Sequence, residues 1–276
     1  MSALSRLRRA MWGISQEMSW GVRHLRRGRV AYLLNVLAYR LLAVTSAVPG
    51  KNRLSFLETD SGVRLYYRRN RGDIQGIREI LVDEIYRLPA GARPSSLVDL
   101  GANIGIATVW LCHEYSLRDF AAVEPIGENF GLLERNCQAN GLIGTLICAA
   151  VGPQSGTTTF DTAAGSNMGR VGEGKFSVTV RGIEELLRGL TFDVSLLKMD
   201  VEGMEKDLLV EVDPAWISAF SLIVMEMHPQ YVSIDALVRT ICDQDFTYFA
   251  PIETTQGIRR SKRERLFVHN PCLITR

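Results

Sequence analysis

From residue 96 onward, short apolar runs alternate with longer mixed stretches, and this pattern limits the fold more than any other feature. The runs at 97–100, 120–123, 146–151, 194–199 and 222–227 are nearly continuous in Val, Leu, Ile, Ala and Met. Strands that are apolar on both faces must be covered on both faces. These runs therefore predict an α/β fold with a mostly parallel sheet between two layers of helices. Helices are expected at 104–115, 128–140, 183–187, 205–212 and 234–243, with a further strand at 177–180. The last two strands, 247–249 and 265–268, are joined by a polar loop with no helix, so one of them is expected to run antiparallel.

Upstream the chain changes character. Residues 1–53 carry ten Lys or Arg and one acid, Glu17, a net charge of +9. The rest carries 22 basic and 29 acidic groups, so the overall +2 conceals a basic arm on a mildly acidic body. With 46% hydrophobic and 22% charged residues, the chain is neither a disordered tail nor a fibrous or disulfide scaffold. Residues 1–50 read as helix, with Arg23, Arg26 and Arg27 on one face and Pro49-Gly50 as the stop. The stretch 30–48 is apolar except for Asn35 and Arg40. Burying Arg40 near the centre of a spanning helix would cost about 3 kcal/mol, so no membrane crossing is expected. The arm is expected to pack on the body, to pair with another subunit or to rest peripherally on an anionic membrane surface.

Residues 54–95 read as a hairpin turning at Asp60-Ser61-Gly62, followed by a helix over 77–88 that stops before Pro89. The expected organisation is thus a basic helical extension (1–53), a hairpin and helix (54–95) and an α/β domain (96–276). The five cysteines, Cys112, Cys137, Cys148, Cys242 and Cys272, are odd in number and include no C-x-x-C. That, with no apolar secretory segment after the basic start, fits a cytoplasmic location.

The first three strand ends carry groups suited to chemistry. The first ends Asp99-Leu100-Gly101-Ala102-Asn103-Ile104-Gly105. In open α/β sheets ligands lie beyond the carboxyl ends of the strands, and these glycines allow close backbone approach. The spacing G-x-x-x-G behind an acid is not the G-x-G-x-x-G that seats a pyrophosphate. A carboxylate here suits a cofactor bearing an ammonium group, such as S-adenosylmethionine (SAM). The second strand ends Glu124-Pro125, and an acid at that point can accept both hydroxyls of an adenosine ribose. The third reaches Ala149-Ala150, whose small side chains leave room for an adenine ring. Each feature alone also fits an ordinary strand–turn–helix.

The fourth strand ends Lys198-Met199-Asp200-Val201-Glu202-Gly203-Met204-Glu205, and the fifth ends Glu226-Met227-His228. Taken in order, DLGANIG, VEP, ERNCQAN, AAVG, KMDVEGMEKDLL and VMEMH resemble the FkbM-type family of SAM-dependent methyltransferases over about residues 75–270. The resemblance implies a class I methyltransferase (Rossmann-like) fold with a seven-stranded sheet whose last strand is antiparallel. It also implies O-methylation of natural-product or saccharide hydroxyls. It assigns Gly101, Ala102 and Asn103 to the methionine end of SAM, with Asp99 shaping the turn, and Asp99, Gly105 and Pro125 are counted among the cofactor-binding residues. Glu124, beside Pro125, becomes the ribose acid and Ala150 the adenine neighbour. Asp200, Glu202 and His228 fall at the reaction centre. Asn136 and Asn140 match the family's asparagine-containing helix end, with Ala139 in place of the usual leucine.

Methyl transfer to oxygen is an in-line displacement helped by proton removal from the acceptor. His228 is the first candidate base, since imidazole titrates near neutrality, and Asp200 the second. An Asp200/Glu202 pair could alternatively hold a divalent cation, although Glu202 is equally suited to capping the helix that begins near Gly203. The Gly/Ser/Thr-rich stretch 157–174 reads as a mobile loop with Asn167 and Arg170 available to a polar acceptor, or as a plain insertion. The basic run 259–265 lacks interleaved aromatics, so no nucleic-acid partner is expected. The expected partner is a hydroxylated small molecule such as a sugar, glycoside or polyketide-like metabolite. N-methylation and a catalytically silent SAM-binding scaffold are the alternatives.

Overall fold

A computed structural model of the chain describes residues 3–41, 52–161, 170–171, 176–201, 203–228, 231–249 and 264–269. The arm is two helices, α1 (Ala3–His24) and α2 (Arg29–Leu41), separated by a short strand, β1 (Leu25–Arg27). The helical stretch expected over 1–50 is interrupted where the chain crosses the next hairpin at Gly28. Its φ is +72°, and a Cβ there would lie 1.9 Å from the Phe56 carbonyl oxygen. The expected end at Pro49-Gly50 lies outside the described residues. The hairpin strands, β2 (Leu54–Thr59) and β3 (Arg64–Arg68), join β1 in a three-stranded antiparallel sheet. Leu25, Tyr32 and Val36 of the arm are buried in the same core as the helices that follow. Glu17 is fully buried, receives the Tyr32 hydroxyl at 3.2 Å and lies 3.9 Å from Arg78.

The helix expected at 77–88 begins earlier, as α3 (Arg71–Ile77), and widens into a π-turn over Arg78–Val82. Asn70 sets the start: its side chain accepts the Asp73 N–H at 2.8 Å, while the Asp73 carboxylate takes two bonds from the Arg68 guanidinium. Glu84, in the left-handed region at φ 48°, lies just beyond its end.

The central sheet then follows: β4 (Ser96–Leu100), α4 (Ile106–Glu114), β5 (Asp119–Val123), α5 (Gly127–Ala139) and β6 (Thr145–Ile147). The single strand expected over 146–151 is in fact two. After β6 the backbone turns, and β7 (Ala150–Gly152) leaves to pair in a second sheet with β8 (Gly156–Asp161), β9 (Arg170–Val171) and β10 (Phe176–Gly182). Part of the stretch read as a mobile loop is therefore strand; Asn167 lies outside the described residues. The chain continues with α6 (Ile183–Arg188), β11 (Leu196–Met199), a short α7 (Glu205–Leu209), a 3₁₀ turn over Pro214–Ala219, β12 (Leu222–Met227), α8 (Ile234–Cys242), β13 (Thr247–Phe249) and β14 (Glu264–His269). Of the basic run 259–265, only the backbone of Glu264 and Arg265 is described.

The central sheet has the order β13-β14-β12-β11-β4-β5-β6, with β14 antiparallel to both neighbours and the other pairs parallel. Its strands are buried on both faces. Leu97, Leu196 and Leu222 join the core shared with α4 and α5, whereas Val98, Leu197 and Ile223 join the core shared with α6, α7 and α8. Period-two alternation thus divides one apolar run between two helix layers. The strand order reverses between β4 and β11, the switch point at which open sheets leave a crevice.

Asn136 and Asn140 tie the hairpin to this domain. The Asn136 amide accepts the Tyr66 N–H at 2.6 Å and donates to the Tyr66 carbonyl at 3.0 Å; Asn140 does the same to Arg64 at 2.9 and 2.6 Å. Four residues of helix rise about 6 Å and two of strand nearly 7 Å, so the two amides imitate a neighbouring strand along β3.

Candidate active site

At the switch point, a cleft enclosing about 1080 Å³, its open mouth included, lies over the ends of β4, β5, β7, β11 and β12. The turn after β4 forms its floor. Gly101 has φ +79°, and a Cβ there would lie 1.9 Å from the Asp200 carbonyl oxygen, so the turn rests directly on the backbone leaving β11. The Gly101 and Ala102 N–H groups both donate to the Val123 carbonyl, at 3.0 and 2.9 Å. Asn103 occupies the left-handed region at φ 51°, which asparagine tolerates. Its N–H donates to Glu124 at 2.8 Å, and its buried side-chain oxygen has no hydrogen-bond partner among the described residues.

Glu124 closes the next side of the cleft. Its carboxylate accepts from the backbone of Asn103 and Ile126 and, at 3.3 Å, from Asn129. Burial pushes its pKa up to about 7, and these donors and Lys198 only partly offset that. Pro125 and Ala150 line the same wall. Facing them, α3 and the π-turn contribute Gly72, Gly76 and Glu79, with Tyr86 beyond.

Asp99 and Gly105 are placed behind the turn and do not line the cleft. Asp99 is fully buried, 2.9 Å from the Lys198 ammonium and accepting the Thr108 hydroxyl at 2.6 Å. Gly105, at φ +81°, starts α4; a Cβ there would meet the Leu133 side chain at 2.7 Å, so it sets how closely α4 and α5 pack. The group that Asp99 was expected to receive from a ligand comes instead from the protein. Lys198 stands opposite Asp99 in the β11–β4 register and donates to the Gly101 carbonyl at 2.7 Å, pinning the turn from beneath. Burial alone would lower its pKa, but Asp99, Asp200 and Glu226 more than reverse this, and the shift is upward.

The cleft's acidic end is built from β11 and β12. Asp200 reaches the cleft with its side chain 24% exposed, and its inner oxygen is buried without a hydrogen bond. Glu226, buried, lines the same end. His228 lies behind them at 1% exposure, outside the cleft lining. One face of its ring meets Asp200, with Nε2 3.8 Å from Oδ1; on the other, Nδ1 and the fully buried Glu205 are 2.5 Å apart. A carboxylate only accepts, so Nδ1 carries the proton toward Glu205. Glu202 lies outside the described residues. No group of three or more His, Cys, Asp or Glu among the described residues is arranged to hold a metal ion.

Lys198, Glu205 and Glu226 fell within the quoted motifs but were given no role from the sequence, and Glu79 and Tyr86 were not singled out at all. Lys198 did leave a signal: a lysine inside an otherwise apolar strand must find an acid, and Asp99 was the one at matching height on the neighbouring strand. Glu79 and Tyr86 left none, because the course of α3 and its π-turn decides what they face.

The sequence matches the family model described as the methyltransferase FkbM domain over residues 99–248. The chain belongs to the FkbM methyltransferase family. Among solved structures, it is similar to methyltransferase FkbM from Methylobacillus flagellatus KT at 15% identity and a TM-score of 0.46, covering 91% of this chain and 60% of that one. It is similar to M. jannaschii TYW2 in complex with AdoMet at 12% identity and a TM-score of 0.41, covering 81% of this chain and 87% of that one. A third is the precorrin-6y C5,15-methyltransferase of Geobacter metallireducens GS-15, at 14% identity and a TM-score of 0.39, covering 71% and 89%. This chain thus spans about three fifths of the M. flagellatus protein's length. No curated protein matches the sequence.

Proposed function

We propose that the chain is a SAM-dependent methyltransferase acting on a hydroxyl of a small molecule, such as a sugar, glycoside or polyketide-like metabolite, in the cytoplasm. The observation that carries this reading is the cleft at the switch point, where a glycine turn and Glu124 lie on one side and Asp200 and Glu226 on the other. The residues suit SAM. Glu124 keeps acceptor capacity for the ribose hydroxyls, and the unpartnered Asn103 oxygen suits the ammonium of the methionine end. Ala149 and Ala150 leave the flat space an adenine needs. Bound there, SAM supplies a methyl group activated by a sulfonium.

The protein's own groups position the acceptor and receive its proton. Asp200 is the base in this reading, because its carboxylate is at the cleft while the His228 ring is buried behind it. His228 backs Asp200, and the bond from its Nδ1 to Glu205 holds the ring in place behind that carboxylate. α3 and the π-turn roof the cleft and limit water at the reacting oxygen. Free buried thiols at Cys112 and Cys137 accord with a reducing compartment.

The test is transfer of labelled methyl from SAM into a panel of hydroxylated metabolites, mapped by mass spectrometry. Asp200→Asn should keep SAM affinity and lower turnover by roughly 10²–10⁴. Label on nitrogen, or no transfer despite SAM binding, would refute the O-methylation reading.

A further inference from the structure

The arm's outer surface is neither part of the cleft nor needed to complete the core. The inner faces of α1 and α2 are consumed by packing: Gly21 meets Leu33 and Tyr32, and Leu25, Tyr32 and Val36 enter the domain core. The outer faces keep Met11, Trp12, Val22, Val30 and Leu34 in solvent, Val30 at 71% and Met11 at 62% exposure. Those five are most of the eight large hydrophobic residues exposed among the described residues, so the apolar surface is concentrated in this small fraction of the chain. Val30 and Leu34 are one helical turn apart and share a face of α2.

The arm's own exposed charges have one sign, although Glu58 and Asp60 of the hairpin lie beside two of them. Arg23, Arg26, Arg27 and Arg29 are exposed at the junction of the two helices. Arg29 is partly tied back to the Leu25 carbonyl, and Arg27 lies 3.7 Å from Glu58 of the hairpin. His24 pairs with Asp60. The arm's own acid, Glu17, is turned inward and buried, so it offsets nothing on this surface.

We propose that the arm docks the enzyme on an anionic lipid surface, with α1 and α2 lying along it. Apolar side chains flanked by arginines, with no acid of the arm among them, are what an interfacial helix presents to acyl chains and acidic headgroups. A second copy of the chain fits less well. A two-fold interface sets a patch against itself, and here that brings arginine to arginine. A nucleic acid would use the arginines but leave Met11, Val22, Val30 and Leu34 without partners. The helices rest on the surface and do not enter as spans, for no helix among the described residues is long and apolar enough to cross a membrane.

The experiment uses the full-length chain with phosphatidylcholine vesicles, with and without about 30% phosphatidylserine, in a flotation assay. Recovery is expected with the anionic vesicles and not with the neutral ones. Arg23→Ala/Arg26→Ala should weaken it about thirtyfold, at about 1 kcal/mol for each arginine near the surface. Val30→Asp/Leu34→Asp should weaken it by about tenfold or more, with melting temperature and SAM binding unchanged, which separates docking from folding. Absence of recovery, or equal recovery with neutral vesicles, overturns the proposal. So does a concentration-dependent dimer abolished by Val30→Asp/Leu34→Asp, or an RNA oligonucleotide bound at least as tightly as the anionic vesicles.

Discussion

Lys198→Met tests whether the cofactor turn is held from beneath by a buried ion pair. The substitution keeps the length and apolar stem of the side chain and removes only the ammonium. In the native chain that ammonium is 2.9 Å from the Asp99 carboxylate and 2.7 Å from the Gly101 carbonyl, with the lysine side chain 3% exposed and the aspartate fully buried. At an effective dielectric of about 20, a pair at this separation attracts by about 6 kcal/mol, much of it offset by the cost of desolvating both ions. Removing one partner strands the other. Only the Thr108 hydroxyl is then shown bonding Asp99, and about 3–5 kcal/mol of stability should be lost, a large share of the 5–15 kcal/mol typical of a domain. Neutralising the acid as well, in Asp99→Asn/Lys198→Met, should restore all but about 1–2 kcal/mol. Urea unfolding of both single variants and the double variant at pH 7 gives the coupling directly. A Lys198→Met loss below about 1 kcal/mol, or a double variant equal to the sum of the singles, would show that the pair does not hold the turn.

Glu124 should give stability and binding opposite pH dependences. Its folded-state pKa of about 7 exceeds the ordinary 4.5, so the folded chain keeps a proton that the unfolded chain has released. Stability of the ligand-free protein should therefore fall as pH rises from about 4.5 to 7, by at most about 3 kcal/mol, and Glu124→Gln should flatten this dependence. SAM affinity should rise over the same window as the carboxylate forms, which calorimetry at two pH values would read; affinity independent of pH refutes the ribose contact. Gly101→Ala would force a Cβ into the backbone at Asp200 and should abolish SAM binding, or folding itself, whereas alanine at Gly62, which has open space around its hairpin turn, should cost only about 1–2 kcal/mol of left-handed strain by thermal melting. Glu205→Gln should leave SAM affinity intact while lowering kcat and shifting its pH profile, because it changes the tautomer of His228 and not the cleft; an unchanged profile would make Glu205 purely structural.

The sheet was legible because its strands are buried twice. A run such as Leu196-Leu197 must place one side chain in each helix layer, and that requirement is visible in composition alone. The cleft's floor was legible for a related reason: backbone approaching backbone, as Gly101 approaches residue 200, leaves room only for glycine. What failed was mostly set by partners distant in sequence. The break in the arm depends on Gly28 meeting Phe56 of the hairpin. The helix start at Arg71 rests instead on local contacts, the Asn70 cap and Arg68 reaching Asp73, that apolar periodicity does not report. His228 read as a base from its type and position. Its burial behind Asp200 follows from where α7 places Glu205, which local pattern does not encode.

The misplacement of Asp99 carries the wider lesson about such sites. An acid behind a glycine turn reads as a ligand contact because a cationic cofactor would satisfy it. Here a lysine two residues before Asp200 satisfies it first, and the consequence is functional. With Asp99 neutralised from within, the acids left lining the cleft are Glu124, Asp200 and Glu226 at the strand ends and Asp73 and Glu79 on the α3 side. In the proposed reading, Asp200 and Glu226 are the pair beside the sulfonium that loses its charge and the acceptor that loses its proton. Because Lys198 bonds both Asp99 and the Gly101 carbonyl, the same ion pair that removes Asp99 from the ligand's reach also sets the height of the turn on which the ligand would rest. Substitutions at Lys198 should consequently weaken SAM binding in proportion to the stability they remove, whereas substitutions at Asp200 should separate the two. A series at each position, with affinity plotted against unfolding free energy, would show whether the turn and the base are independent parts.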